Sequence, residues 1–532
     1  MTAASVIIGG SAPLTPDDVV RVARHGQQVA IAPEAGERMR PSHEWVEGLF
    51  VSGRAVAPVY GINTGFGSLA GEGAYQSPET AAELSRRLVL SNSCGVGREL
   101  DTEVVRAAML IRAASLTRGH SGVPLALVET LVGMLNTDVT PFVPEYGSLG
   151  ASGDLIPLAH VALVATRPAQ DDDPALSGMA LHAGERKAGV DAMRDAGIER
   201  VVLGAKGGLA LLNGTSFSTA LATLALVDSE LLALSADLAV AMSAQALLGF
   251  ADAFLPHVHE ARGHAGQIAS AARVRELLVG SRLIDGAAER DPERQPPQDA
   301  YAIRCSPQVH GAVRDVLGFA RATIAAELEA TTDNPLIFCE LPRSLKAVSG
   351  GNFHAEPIAF ASDFLAIAAT EIASIAERRL ARLIDPALNR GLPAMLMASE
   401  VAGIDCGFML PQYLAAALVS DCKTLAHPDS VDSIPTSANQ EDHVSMAMNA
   451  GRHVRQAVWN AITVIALELH AAAQAIDLRV QEPGRSIDDL SPPTRQAYEA
   501  IRAVVTYQTR DELLEPRVGA TRDLVASGEL VA

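Results

Sequence analysis

The stretch Gly147 to His160, GSLGASGDLIPLAH, contains a tripeptide with a chemical option that side chains lack. The Gly153 amide nitrogen can attack the Ala151 carbonyl two residues back if the backbone bends sharply, and glycine has no Cβ to resist that bend. Loss of water from the new ring and from the Ser152 hydroxyl would leave a five-membered ring with an exposed methylidene, a strong electrophile. Gly147 and Gly150 flank the tripeptide, Asp154 follows it, and LIPLAH reads as a turn entering a helix. The same residues also fit a plain helix-capping turn in which Ser152 or Asp154 satisfies the first amides.

Other polar residues stand where chemistry is possible, each with a structural alternative. Tyr60 and Asn63 lie among Gly61, Gly65 and Gly67 in VAPVYGINTGFG, a loop too glycine-rich for a helix interior and of a kind that often carries function. Its alternative is a solvent-facing hairpin whose tyrosine packs on the core. Ser91, Asn92 and Ser93 end a helix, either as a simple turn or as the wall of a polar pocket. Asn213, beside Gly214, either satisfies backbone groups in a turn or holds a ligand carboxylate. Gln298, Tyr301 and Arg304 are spaced by three and would share one face of a helix. Arginine suits two-pronged contact with a carboxylate, although surface arginines are commonly only solvated. Asn439 to His443, with Glu441 among them, crowd the start of a long helical stretch, where acids also simply complement the helix dipole.

These residues need a scaffold, and composition indicates its class. The 532-residue chain is 48% hydrophobic but only 4% aromatic, and its dominance by Ala and Leu favours packed helices. The expected class is mainly α. Helical patterns run through Glu103 to Leu135 with a break near Gly119 to Pro124, Ser218 to Leu248, Val313 to Ala330, Ser349 to Asp385 after its paired glycines, Gly407 to Pro428, and Ser430 to Leu478 after its polar opening. The longest exceed ordinary globular helices and predict a bundle core. Pro411 is expected to kink its helix. The organisation predicted is an N-terminal region over 1–215 bearing the tripeptide, a central bundle over 216–480, and a helical C-terminal segment over 481–532. The Pro-rich loop from Asp285 to Cys305 reads as a flexible lid or a subunit contact.

Charge excludes some partners. Lys and Arg number 42 against 62 Asp and Glu, for a net charge of −20, which repels nucleic acid and anionic membrane surfaces. Five scattered cysteines without metal-ligand spacing read as free thiols of a reducing compartment. The N-terminus has no signal-peptide pattern, and charges interrupt the apolar stretches, so no membrane span is expected and the cytoplasm is the predicted location. His160, His354 and His443 lack ligand spacing, and no metal is expected.

Seven segments in order, VYGINTGFG, GSLGASGDLIPLAH, LLNGT, YAIRCSPQVHG, DNPLI, SGGNFHAEP and SIPTSANQEDHVSM, together resemble the signature segments of the ammonia-lyases and aminomutases that use an autocatalytic 4-methylidene-imidazol-5-one (MIO) group. The last segment is most similar to the histidine-specific members. The resemblance implies a mainly α, fumarase/aspartase-like fold with a long central bundle, assembled as a homotetramer whose active sites are shared between subunits. It also implies that Ala151, Ser152 and Gly153 form the MIO group, with Asp154 assisting and Phe353 packing nearby, and that no external cofactor is required. Tyr60 matches the catalytic base, Asn213 and Arg304 the carboxylate-binding positions, and Gln298 and Tyr301 the active-site loop. Glu441 matches the acid that faces the imidazole and amine in histidine-specific members.

At one position the chain departs from that pattern. Histidine-specific members carry Ser-His where this chain has Ser91 and Asn92, so the pocket is expected to stay polar without that imidazole. The activity implied is elimination of ammonia from L-histidine or a related aromatic L-amino acid to give a trans-arylacrylate. The alternatives are a tyrosine- or phenylalanine-type lyase, an aromatic 2,3-aminomutase on the same scaffold, and a non-catalytic helical scaffold. Tyr60 must be partly phenolate near neutral pH, against a reference pKa of about 10. Arg304 and backbone amides would favour that anion, and desolvation would oppose it.

Overall fold

The computed structural model describes residues 5–51, 57–71, 77–285, 297–342, 345–399 and 403–531. It is mainly helical, with short strands confined to small sheets. Two compact units are present, one formed by Met1–Val227, Arg321–Asp363 and Pro428–Arg452, the other by Asp228–Ala320, Phe364–His427 and His453–Ala532.

In the first unit, Val6–Ile8 pairs in parallel with Val29–Ile31. Between them runs the helix Pro16–His25, started by a Thr15–Asp18 capping box with proline at the first position, as TPDD predicts. The stretch from Leu176 to Val202 resolves into a hairpin, Met179–His182 against Glu185–Ala188, followed by the short helix Gly189–Asp195. The helix Pro33–Val51 carries Pro41 inside it, which hides its helical pattern in the sequence.

The second unit contains the bundle that the long helical patterns predicted. Ser216–Ala246, Ser306–Leu328, Glu356–Ile384 and Ala447–Val480 all contribute to it. Arg379 donates to both oxygens of Glu468 at 2.6 and 2.8 Å, and Ser243 donates to the same carboxylate at 2.7 Å, joining three of these helices. Asp237 accepts from Ser270, His310 and Arg314 at 2.6–2.8 Å, which draws in the fourth. Both carboxylates are fully buried, and removing one partner of such a set typically costs about 3–5 kcal/mol. Glu356–Ile384 and Ala447–Val480 are long and apolar enough to span a membrane, but 67% and 89% of their apolar windows are buried inside the protein.

Three local expectations are corrected. The long helix expected after the paired glycines Gly350 and Gly351 starts at Glu356, so NFHA also belongs to the loop. The helix expected to start among Asn439 to His443 begins at Ala447, because Ser437, Ala438, Asn439 and Met446 all have positive φ and break helical continuity. Pro411 falls in the first turn of Met409–Leu425, where its missing amide has no intrahelical role, so it fits without a kink. Residues 286–296 of the expected lid lie outside the described residues.

Candidate active site

The tripeptide sits in a tight backbone crossing in the first unit. Gly153 bridges to Gly150, Ala151 and Gly214, and the Asp154 amide donates to the Gly214 carbonyl at 2.7 Å. Gly153 has φ +71°, and a Cβ there would stand 2.3 Å from the Gly214 carbonyl oxygen. Only glycine fits there.

The neighbouring side chains show that this is not a capping turn. Ser152 leaves the amides of the Leu155–Ala165 helix alone and donates its hydroxyl to Glu441 Oε1 at 3.1 Å. Asp154 is fully buried and makes no cap bond. Its carboxylate accepts from the Ser218 amide and hydroxyl at 2.8 and 2.9 Å and from the Ser148 hydroxyl at 2.9 Å. Burial pushes its carboxyl pKa above the usual range, while these bonds oppose the shift. Asn213 donates through Nδ2 to the Ser152 carbonyl at 2.7 Å. Its own carbonyl is held by the buried Arg112 at 2.5 Å. A second buried pair, Lys206–Asp333 at 2.6 Å, lies just before Asn334 of the lining.

Around Ser152 opens a cavity of about 360 Å³, ample for one amino acid. Tyr60, Asn213, Asn334, Ser349, Gln440 and Glu441 supply its polar wall, and Phe66, Leu88, Leu155, Leu209 and Phe353 much of its apolar wall. Among the described residues this lining contains no Lys or Arg. Glu441 is held from behind by Thr436, whose hydroxyl donates to Oε2 at 3.2 Å. The left-handed Ser437–Asn439 turn shapes this strap. Gly67, at φ +54°, meets it so closely that a Cβ would lie 2.5 Å from Ser437 Oγ.

Tyr60 is in the cavity, but its electrostatics differ from expectation. Burial raises the phenol pKa above its ordinary value, the Gly67 amide at 3.3 Å opposes the rise, and the nearby Glu441 carboxylate adds to it.

The structure therefore brings together Tyr60, Ala151, Ser152, Gly153, Asp154, Asn213, Phe353 and Glu441 in one unit. Ser91 and Asn92 do not line the cavity. Both back-bond to the Leu88 carbonyl, at 3.2 and 2.8 Å, and from this helix it is Leu88 that reaches the cavity. The polar-wall expectation for them is replaced by the simple C-terminal turn. Glu441 lies in the strap before the Ala447–Val480 helix, so it does not complement that helix's dipole. Asn63 is buried and bonds its own loop, accepting from the Val59 amide at 2.8 Å.

Gln298, Tyr301 and Arg304 belong to the second unit. Gln298 and Arg304 line a separate cleft of about 260 Å³ there. The helix starts only at Tyr301, so Gln298 precedes the face the three were expected to share. Tyr301 is 70% exposed, and the Arg304 guanidinium stacks over its ring at 4.5 Å.

Sequence reading missed Leu88, Leu209, Asn334, Arg112 and the Lys206–Asp333 pair. Leu88 could have been found, one helical turn before Asn92; the buried charges carry no local signal.

Comparison with known proteins gives a consistent result. The sequence model of the aromatic amino acid lyase family matches residues 14–503. The chain is 46% identical to a histidine ammonia-lyase of Symbiobacterium thermophilum, over 98% of this chain and 97% of that one. Among solved structures it is similar to histidine ammonia-lyase from Trypanosoma cruzi, with 36% identity, TM-score 0.86 and coverage of 99% and 94% of the two chains. It is also similar to the tyrosine aminomutase from Streptomyces globisporus, with 34% identity, TM-score 0.89 and coverage of 99% and 98%.

Proposed function

This chain belongs to the aromatic amino acid lyase family, and from that premise we propose that it eliminates ammonia from L-histidine, or a closely related aromatic L-amino acid, to give a trans-arylacrylate. The observation that carries the reading is the Ser152–Glu441 hydrogen bond at 3.1 Å inside a cavity that also holds Tyr60. A carboxylate there suits an imidazole and an ammonium group better than a plain phenyl ring.

The residues present fit an MIO group. The Gly153 backbone at positive φ, the Asn213 bond to the Ser152 carbonyl and the buried Asp154 would form it and hold it. When present, the group supplies the electrophile that makes the substrate amine a better leaving group.

The protein's own side chains do the rest. Tyr60 takes the β-proton, which requires its phenol to ionise despite burial and Glu441. The substrate ammonium and a nearby guanidinium provide the opposing charge. No Lys or Arg of the described lining supplies that guanidinium, so in this reading Arg304, with Gln298 and Tyr301, comes from another copy within a homotetramer. Asn213 and Arg304 then hold the carboxylate, fixing which proton faces Tyr60; such positioning lowers a barrier by several kcal/mol, up to about 10 in ideal cases. Leu88, Leu209 and Phe353 enclose the ring. The five free cysteines support a cytoplasmic, reducing location.

An aminomutase is the second reading, favoured by the likeness to the tyrosine aminomutase structure. One experiment separates the two. Purified protein is offered L-histidine, L-tyrosine and L-phenylalanine, with ultraviolet detection of arylacrylate and chiral analysis for β-amino acid. Urocanate from histidine is expected. Accumulating β-amino acid would replace the lyase by a mutase, and no product from any substrate would contradict both.

A further inference from the structure

We propose that His354, Glu356 and His443 form a binding site for a divalent transition cation of the zinc class. Their positions conceal it in the sequence, since His443 lies far along the chain from the other two. In the fold, one ligating atom from each lies within 4.8 Å of the others. The two imidazoles are stacked with centroids 5.7 Å apart at 30°.

The carboxylate gives a second, independent indication. Glu356 Oε2 is buried without a hydrogen-bond partner. Its nearest cationic candidate, His354 Nδ1, is 3.9 Å away, too far for a hydrogen bond. A buried carboxylate oxygen without a donor is costly, and a cation between it and the two imidazoles removes that cost.

The donor set selects the ion. Two imidazoles and one carboxylate suit zinc or cobalt better than calcium or magnesium, which prefer all-oxygen shells. Three atoms at most 4.8 Å apart can share a centre about 2.8 Å from each, and zinc–ligand distances of about 2.0–2.2 Å need each to close by under about 1 Å. His443 is exposed, so it can swing in and the ion has a route from solvent.

The position gives the site a structural purpose. His354 follows Phe353 of the loop before the Glu356–Ile384 helix, and His443 stands two residues beyond Glu441 on the strap. A shared cation ties together the two segments that bring Phe353 and Glu441 to the cavity. This clamp is independent of the chemistry at Ser152.

The test uses tag-free, chelator-stripped full-length protein titrated with Co²⁺, read by visible absorption, with Zn²⁺ competing. One equivalent per chain is expected, with binding at least about tenfold weaker in His443→Ala and in Glu356→Gln. Metal should raise Tm in the parent protein and not in His443→Ala, whose exposed position leaves folding intact. An absence of stoichiometric binding by the parent protein, or full retention in both variants, would overturn the site and leave an ordinary histidine–carboxylate cluster.

Discussion

Ser152 and Glu441, 289 positions apart in the chain, are joined by a hydrogen bond of 3.1 Å from the serine hydroxyl to the carboxylate. The same carboxylate raises the Tyr60 phenol pKa, after burial has done most of the raising. One acid therefore touches Ser152 and raises the pKa of the proposed base.

Replacing Glu441 by Gln keeps the shape and removes the charge. Turnover of histidine should fall by about 100-fold or more, the scale of lost acid–base or electrostatic assistance. Because an adjacent negative charge raises a phenol pKa, its removal lets Tyr60 ionise at lower pH. The rising limb of the kcat/KM profile should therefore move toward acid in Glu441→Gln. A limb that stays put or moves toward alkali would contradict the coupling.

Gly153→Ala would force a Cβ to 2.3 Å from a backbone oxygen at φ +71°, and about 2–5 kcal/mol of stability should be lost. Asp154→Ala removes the acceptor of three short hydrogen bonds, at about 1–3 kcal/mol for each donor left unsatisfied. Both variants should melt at lower temperature and fail to lose water at the tripeptide. A Gly153→Ala protein as stable as its parent would refute the packing argument.

Much of this candidate site was legible because the proposed ring closure would demand particular residues in a row. ASGD cannot be diluted, and Tyr60 among glycines advertises a loop, so these positions could be read before any fold was known. Ser91 and Asn92 left two readings open because a polar pair at a helix end looks the same whether it faces a ligand or its own last carbonyls. Arg112 and the Lys206–Asp333 pair were invisible, since nothing local tells a buried charge from a solvated one. Spacing gives no sign of the His354–His443 contact, which is made only in the fold. In the scaffold, apolar periodicity found the long helices, but their starts at Glu356 and Ala447 depended on positive-φ turns and loop packing that periodicity ignores.

Sharing of sites between copies is open to a complementation test. Ser152→Ala and Arg304→Ala should each be inactive alone. Coexpressed, they should recover part of the parent activity, because some sites would draw an intact serine and an intact arginine from different copies. No recovery from verified mixed assemblies would place both groups of a site in one chain.

His470 offers a pH test of stability. Burial, with Arg502 and Arg517 nearby, lowers its pKa to about 3, well below the unfolded value of about 6.5. Its neutral form is therefore favoured by folding, and its contribution is lost as pH falls from about 6.5 toward 3, because the unfolded chain takes up the proton first. The slope from this one group approaches about 1.4 kcal/mol per pH unit. His470→Phe should flatten the decline of denaturant stability over that range, and an unchanged slope would contradict the assignment.

The central claim is that Ala151, Ser152 and Gly153 condense into a ring, and the mass of the peptide spanning Ser152, taken from protein that is turning over substrate, tests it most directly. The expected mass is lower than the encoded one by two waters, with the encoded mass restored in Ser152→Ala along with loss of turnover. The full encoded mass in an active preparation would contradict it.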